Sequence, residues 1–353
     1  MKRICSLNSF RRLLIAVMLV ALIVPLTAYA AAPAETEKPA NRIVCLAPSM
    51  VEIVYALGAG DSIVGWSKYT DYPPQVTEKK GWQPYQEYVF ESVEAELAKD
   101  VAVVSDFAEV NFEVIEQLEP TLILSEAEVQ LPMTEDLKAR GYQAYNFEPR
   151  SLEDVYEMML TIGGLIGRES EAADLVEQYK AEIEDIERIS MDLPKVDVYI
   201  EISHQVNYDG TKYGPYATGT GTPFDQMIEI AGGRNVFEDL DGDYVEVTFD
   251  DIVEANPDVI LSPMWPDALD FEVTTIREIM MRPDFENVSA VQTSRIHFYD
   301  SSLFKRFGPR TVTAIKKLAY LLHPYYFENP PESVSPWELG KIDEEYEPVA
   351  PLK

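Results

Sequence analysis

The sequence predicts an α/β protein with two lobes, each a mostly parallel sheet flanked by helices, bridged by one long α-helix. Residues 111–125 (NFEVIEQLEPTLILS) align without a gap with residues 248–262 (TFDDIVEANPDVILS), and each segment is typical of a short helix, a proline stop and an apolar strand. Short apolar strands alternate with helices on both sides of residues 151–189, which is typical of parallel sheets covered on both faces. The identical pairs in the two segments are Phe112/Phe249, Ile115/Ile252, Pro120/Pro257, Ile123/Ile260, Leu124/Leu261 and Ser125/Ser262.

The connector between the repeated segments is predicted to form two helices. Ser151 is a favourable N-cap with acidic residues in the following turn, and the first helix is expected to end near Gly167. The second begins at about Ser170 and carries one apolar stripe, formed by Ala172, Val176, Tyr179, Ile183 and Ile186. Since twenty helical residues span about 30 Å, this helix either reaches from one lobe to the other or lies on the surface of one domain.

Residues 1–30 have the three parts of a secretory signal peptide. Basic residues precede an apolar run from Leu13 to Leu26, and a small-residue cleavage site follows at Ala28-Tyr29-Ala30. No cysteine ends the apolar run, so a lipoprotein anchor is not indicated, and an uncleaved membrane anchor is the alternative. We expect an exported protein, periplasmic or at the cell surface, with a flexible leader at residues 31–41 and an acidic, proline-rich tail at residues 328–353.

The composition argues against several classes of function. With 61 acidic and 29 basic residues, the formal net charge of −32 disfavours binding to nucleic acid or to anionic lipid, and suits a basic partner or a saline habitat. Beyond the signal peptide Cys45 is the only cysteine, and its apolar surroundings predict a small buried hydrophobe. The three histidines are widely separated, and nucleotide-binding and nucleophile motifs are missing from the sequence. We therefore expect no catalytic residues, no metal site and no cofactor.

An aromatic cluster around a double proline is a candidate binding site. Residues 67–74 (SKYTDYPP) follow a strand predicted over Ser62 to Trp66, and rigid loops at strand ends of α/β lobes commonly bind ligands. The alternative is a loop packed on its own aromatic rings. Glu52 lies three residues after Ser49, and this spacing predicts a capping box rather than a functional carboxylate.

Six segments occur together in one order along the chain. They are RIVCLAPSMVEIVYALGAG (42–60), YTDYPP (69–74), NFEVIEQLEPTLIL (111–124), YATGTGTPFDQMIEIAGGRNVF (216–237), TFDDIVEANPDVIL (248–261) and FGPRTVTAI (307–315). In these segments the sequence resembles the class III substrate-binding proteins of ABC importers, which carry cobalamin, ferric siderophores and haem. The resemblance implies two lobes bridged by one rigid helix, with the ligand in the cleft between them. On this basis we expect an N-terminal lobe at 42–169, a bridging helix at 170–190 and a C-terminal lobe at 191–327.

The resemblance also implies one permease-docking carboxylate on each lobe. These fall at Glu113 and Asp250, equivalent positions of the two repeated segments, which suits a twofold partner. Each residue also fits a first-turn carboxylate that stabilises its helix. The family more often has glutamate at the second position, and the neighbouring Asp251 is an alternative there. The implied partners are an ABC permease dimer with its cytoplasmic ATPase and a small-molecule ligand, and the binding protein is expected to be a monomer.

Positions that match cleft residues of the family supply the ligand-binding candidates, which are Tyr69, Tyr72, Tyr216, Tyr244, Phe304 and Arg306. Loop position adds Trp66, Trp82 and Trp265, and Arg310 is a second candidate for meeting an anionic group. Aromatic walls suit a large planar or macrocyclic ligand. The small number of cations favours a corrinoid over a ferric siderophore or haem. The alternatives are an exported enzyme acting on a chelate on the same scaffold, and a surface sensor or adhesion module.

Overall fold

The computed structural model describes residues 41–76, 92–106, 108–203, 215–264 and 276–329. Its first sheet is parallel throughout and has the order β3-β2-β1-β4-β5. The strands are β1 (Ile43–Cys45), β2 (Ile63–Ser67), β3 (Ala102–Ser105), β4 (Leu122–Glu126) and β5 (Ala144–Phe147). The helices of this half are α1 (Pro48–Ala56), α2 (Val93–Leu97), α3 (Phe112–Leu118), α4 (Leu131–Ala139) and α5 (Leu152–Ile166).

The chain then forms α6 (Glu169–Ser190) and a second sheet of order β11-β10-β6-β7-β9, with β8 also paired to β6. Parallel pairing joins β6 to β8 and β10, and β10 to β11, whereas β7 and β9 add in antiparallel orientation. The strands are β6 (Val196–Ser203), β7 (Tyr216–Thr218), β8 (Gly233–Asn235), β9 (Tyr244–Glu246), β10 (Val259–Met264) and β11 (Ile296–Asp300). The helices are α7 (Phe224–Ile230), α8 (Phe249–Ala255), α9 (Ile276–Met280), α10 (Ser289–Gln292), α11 (Ser301–Lys305) and α12 (Thr311–Leu322). The predicted α/β architecture with mostly parallel sheets is confirmed.

The sequence repeat is also a structural repeat. Helices α3 and α8 each have seven residues. The side chains of Asn111 and Thr248 cap them by accepting the backbone N–H of the third helical residue, at 3.2 and 3.1 Å. Each helix ends at a left-handed residue, Glu119 or Asn256, with φ of 46° in both, and the chain passes through a proline into β4 or β10. The first turns of α3 and α8 are therefore built alike.

The hydrophobic core joins the two sheets. Buried apolar residues of the described chain form one cluster within the first half, one within the second, and a larger one that draws on both. In this larger cluster Ile53 of α1 approaches Gly308, where an added Cβ would meet the isoleucine side chain at 3.4 Å. Phe307 beside it packs edge-on against Phe224 of α7, with ring centroids 5.6 Å apart. Opening the halves would expose this shared apolar surface to water, which is unfavourable.

Helix α6 contacts both halves of the molecule and begins and ends within one residue of the predicted bounds. The predicted stripe is buried at Ala172, Val176, Ile183 and Ile186, and Tyr179 packs against the same cluster. An ion pair of 3.1 Å joins Lys180 to Glu153 of α5, and one of 2.6 Å joins Glu182 to Lys316 of α12. The Ser190 hydroxyl donates to the carbonyl of Ile230 at 2.6 Å. One unbroken helix is thus joined to helices of both halves by ion pairs and a hydrogen bond.

Two further expectations concern Cys45 and membrane insertion. Cys45 is fully buried, as its apolar surroundings predicted, and burial raises the pKa of its thiol. Of the described helices, none combines the length and apolarity needed to cross a bilayer. The predicted signal peptide, most of the leader and residues 330–353 of the tail lie outside the described residues.

Candidate functional site

The carboxyl ends of strands from both sheets meet at a cleft. In the first half, β1 leads to Glu52 in α1, β2 leads to Asp71, and β4 ends at Glu126. In the second half, β11 leads through α11 to Arg306 and Arg310. Direct contacts between these two groups of side chains, described below, bring the strand ends together. This is the usual place for a ligand in open α/β sheets.

Arg310 and Glu52 form a buried ion pair across the cleft. Nε and Nη2 of Arg310 donate to the two carboxylate oxygens at 2.8 and 2.6 Å, and the side chains are only 4% and 1% exposed. The guanidinium also covers the ring of Tyr72, 4.3 Å from its centroid. Two parallel charge-assisted bonds fix both groups. Arg310, predicted as a group that meets an anionic ligand, is therefore committed to a carboxylate of its own chain in this structure.

The predicted capping box of Ser49 and Glu52 is wrong. Helix α1 begins at Pro48 after Ala47, without a side-chain cap bond, because proline lacks an N–H and its fixed φ suits the first helical position. Glu52 therefore lies inside the helix rather than in its first turn. Burial raises the pKa of Glu52, against the opposing effect of the guanidinium of Arg310. A carboxylate explained from sequence by local capping is in fact part of the contact between the halves.

Arg306 makes a second contact across the cleft. It forms a very short ion pair with Asp71 and donates to the backbone carbonyl of Tyr69 at 3.1 Å and to Glu52 at 3.4 Å. Burial alone would lower the pKa of Arg306, but the carboxylates of Asp71 and Glu52 raise it. Its side chain keeps 16% exposure, compared with 4% for Arg310. Arg306 is thus the more exposed of the two arginines.

Glu126 is a cleft residue that the sequence analysis did not identify. It ends β4 and accepts a very short hydrogen bond from the hydroxyl of Ser49. Burial raises the pKa of Glu126 to about 7; the Ser49 hydrogen bond opposes this shift, the charge of Glu52 adds to it, and that of Arg306 opposes it. The only signal in the sequence was its place at the carboxyl end of a predicted strand.

Tyr244 is the first residue of β9 in the second half. Although 44% of Tyr244 is exposed, burial of the rest of the side chain raises its pKa to about 12, and the carboxylates of Glu126 and Asp243 contribute to this shift. Asp243 itself pairs with Arg150 of the first half at 3.2 Å. The antiparallel strand β9 therefore carries its tyrosine to the cleft, although the sequence analysis did not predict a strand there.

The predicted aromatic residues differ in their exposure. Tyr69 is 45% and Tyr244 44% exposed, whereas Tyr72 and Tyr216 are partly buried. Tyr69 and Tyr72 belong to the first half of the molecule, and Tyr216 and Tyr244 belong to the second. Trp82 and Trp265 lie outside the described residues.

Two predicted ligand residues belong to the core in this structure. Trp66, chosen for its place beside the aromatic loop, lies in β2, within the strand predicted over Ser62 to Trp66, and is 1% exposed. Phe304 is also 1% exposed and packs against Tyr299 with ring centroids 5.0 Å apart. Both are members of the shared hydrophobic cluster. They support the cleft wall rather than forming its surface.

The predicted docking carboxylates Glu113 and Asp250 are exposed in the first turns of α3 and α8. The neighbouring Asp251 differs, because it accepts the backbone N–H of Thr248 at 2.8 Å and its hydroxyl at 2.7 Å in a complete capping box. These hydrogen bonds lower the pKa of Asp251. Asp251 is therefore tied to its own helix.

The sequence and the architecture are similar to those of known proteins. The model of the periplasmic binding protein family matches residues 43–303. An uncharacterised ABC transporter substrate-binding lipoprotein of Bacillus subtilis (strain 168) is 27% identical over 299 residues, covering 83% of each chain. A vitamin B12-binding protein of Vibrio vulnificus (strain YJ016) is 24% identical over 282 residues, covering 79% of this chain and 89% of that protein.

Solved structures show the same fold. A possible iron-binding (periplasmic solute-binding) protein from Staphylococcus epidermidis is 27% identical with a TM-score of 0.63, covering 81% of this chain and all of that one. The resemblance seen in the six sequence segments is thereby confirmed. Since the family match spans most of the chain and the two-lobed α/β architecture agrees with it, this protein belongs to the periplasmic binding protein family.

Proposed function

We propose that the protein is the exported solute-binding subunit of an ABC importer and captures a metal chelate, with a corrinoid favoured, in the cleft between its two lobes. The observation that carries this proposal is the set of tyrosines from both halves, at a cleft whose arginines are already paired with carboxylates. A relative named as a vitamin B12-binding protein supports the choice of ligand. The names of the relatives reported above favour a binding protein over an exported enzyme, a sensor or an adhesion module.

The charges at the cleft favour a ligand with little net negative charge. Arg306 and Arg310 each contact carboxylates of their own chain, and Glu126 lies beside them. A trianionic ferric siderophore would have to displace these carboxylates from the guanidiniums and would then face their repulsion. A corrinoid has a large apolar surface and amide groups, so it gains contact with the tyrosine rings without that penalty.

The exposed tyrosines suit a broad, rigid ligand. Tyr69 and Tyr244 present nearly half of their surface, and each ring orders few rotatable bonds when it is covered. Their hydroxyl groups remain able to pair with polar substituents at the ligand edge. The ligand site that we propose therefore uses Tyr69, Tyr72, Tyr216 and Tyr244 as walls, with Arg306 as its accessible cation.

We further propose that Glu113 and Asp250 dock on the permease dimer. They occupy the same position in the first turns of two helices with the same caps and length, and both are exposed. A chain with two matching groups fits a partner whose two subunits present matching cations. A carboxylate in the first turn also interacts favourably with the dipole of its helix.

A calorimetric titration tests the ligand proposal. The mature chain is titrated separately with cyanocobalamin, haemin and a ferric tris-catecholate siderophore. We expect saturable binding of cyanocobalamin at one site, with a Kd below about 1 μM, and weaker or no binding of the two anionic chelates. Tyr244→Ala should weaken binding at least about tenfold, the effect of about 1.4 kcal/mol.

The matched control is Tyr325→Ala, because Tyr325 is 97% exposed beyond the far end of α12. That variant should bind as the unmodified chain does. Binding of haemin or the siderophore without cyanocobalamin would overturn the corrinoid assignment. An absence of binding to all three chelates would contradict the metal-chelate function.

A further inference from the structure

Each helix that carries a proposed docking carboxylate begins with a phenylalanine covered by an arginine. The guanidinium carbon of Arg140 lies 4.0 Å from the ring centroid of Phe112, and that of Arg282 lies 5.2 Å from the ring centroid of Phe249. Phe112 and Phe249 directly precede the two carboxylates. Arg140 follows α4, the helix after strand β4, and Arg282 follows α9, the helix after strand β10. Cations over aromatic rings are attracted to them and hold their position.

The two arginines differ in what holds them. Arg140 is half exposed, and its other side-chain contact within the described residues is a 3.7 Å pair with Asp136 of the same helix. Arg282 is 2% exposed. It donates to both carboxylate oxygens of Glu201, at 2.5 and 3.1 Å, and to Glu278 at 3.0 Å. The second docking helix is thus joined to strand β6 through a buried, two-bond ion pair, and the described residues give the first docking helix no such pair.

Glu201 lies at the end of β6 that approaches the cleft. Its backbone carbonyl accepts the hydroxyl of Tyr299 at 2.9 Å, and Tyr299 packs against Phe304 in α11. The next carbonyl along β6, that of Ile202, accepts Nζ of Lys305 at 2.6 Å. Arg306, the accessible cation of the cleft, follows directly in the chain. The segment that would meet a ligand is therefore hydrogen-bonded to the strand that holds Arg282.

We propose that Arg282 is a positioning residue that couples the ligand cleft to the docking helix α8, whereas Arg140 holds α3 in place without such coupling. This inference rests on the proposed function and deepens it, because it makes the two docking carboxylates unequal. A shift of α11 on ligand binding passes to Glu201, then to Arg282 and the ring of Phe249, since close-packed interiors transmit small displacements. The position of Asp250 then depends on whether the cleft holds a ligand, while the position of Glu113 does not change.

Hydrogen exchange of the ligand-free chain tests this coupling without knowledge of the ligand. Tyr299→Phe removes the hydroxyl that bonds to Glu201 and leaves the ring in place. We expect amides in residues 249–253 to exchange about fivefold faster, the ratio for the loss of one ordinary hydrogen bond. Amides in residues 112–116 should exchange at an unchanged rate. A change of equal size in both helices, or in neither, would overturn the proposal.

The repeat supplies a matched pair of second variants. Phe249→Leu and Phe112→Leu each remove the arginine–ring contact but spare the buried pair of Arg282 and Glu201. In the Phe249→Leu background, Tyr299→Phe should no longer accelerate exchange in α8, whereas in the Phe112→Leu background its full effect should persist. This double-mutant cycle measures coupling directly. If Tyr299→Phe accelerated exchange in α8 by the same factor with and without Phe249→Leu, a route through the Phe249 ring would be refuted.

The same exchange measurement with cyanocobalamin present distinguishes a failure of this inference from a failure of the proposed function. If cyanocobalamin binds, exchange in residues 249–253 should change and that in residues 112–116 should not. If it does not bind, the corrinoid proposal fails, and the exchange results with Tyr299→Phe decide the coupling by themselves. Binding with equal changes in both helices would contradict the inequality of the two docking helices.

Discussion

At the scale of single residues, the contact between Glu52 and Arg310 defines the cleft. The pair buries two charges, so each group depends on the other to offset its loss of hydration. Its bidentate geometry and 1% and 4% exposure leave no room for water to replace either partner. The pair therefore fixes α1 of the first half against the start of α12 in the second.

Glu52→Gln should destabilise the protein strongly. The substitution leaves the guanidinium of Arg310 buried without its counter-charge, which costs about 3–5 kcal/mol in the free energy of unfolding. The measurement is urea unfolding followed by circular dichroism. The control is Glu153→Gln, which breaks the exposed pair with Lys180 and should cost less than about 1 kcal/mol. Equal effects of the two substitutions would mean that Arg310 finds another partner.

This pair also shows why sequence reasoning found only part of the site. Glu52 and Arg310 are 258 positions apart, and no local pattern links them. The spacing of Ser49 and Glu52 matched a capping box, but Pro48 moved the helix start and changed the role of Glu52. The four tyrosines were chosen because they match cleft positions of the family that the sequence resembles, and their role in binding stays a prediction. Trp66 lies in the predicted strand, but its burial in the core was not predicted.

At the scale of elements, the repeated helices α3 and α8 are the best-determined part of the prediction. Their limits follow from polar caps before them and prolines after them, which are local signals. The same holds for α5, which begins after Ser151 and ends at the left-handed Gly167. Strands β7 and β9 were missed because three residues carry no periodicity, and Tyr216 to Thr218 adjoin a glycine- and threonine-rich stretch.

Removal of the two caps should have similar effects. Asn111→Ala and Thr248→Ala each expose a helix N–H without a partner and should each lower the free energy of unfolding by about 1 kcal/mol. Thr248→Ala should be the more costly, because Asp251 also loses the bond from the Thr248 hydroxyl. Urea unfolding measures both. Gln117→Ala, an exposed change inside α3, is the control and should have little effect; equal losses in all three variants would refute the capping role.

At the scale of the whole molecule, the two halves share one hydrophobic cluster and one helix. Residues of both sheets contribute to the cluster, and α6 is paired with α5 on one side and α12 on the other. Large opening of the cleft would have to break the buried pairs and expose this core together. We therefore expect ligand binding to alter the relation of the halves only slightly, and the spacing of Glu113 and Asp250 by a small amount.

Transport into proteoliposomes that contain the cognate permease and ATPase tests the central claim most directly. The double variant Glu113→Arg/Asp250→Arg places cations where the permease is expected to present its own, and Glu116→Arg/Glu254→Arg makes the same change at exposed positions one turn later. We predict that the first variant binds the chelate with unchanged Kd but loses transport, while the second retains transport. Transport by the first variant at the rate of the unmodified protein would contradict the docking of this binding protein through Glu113 and Asp250.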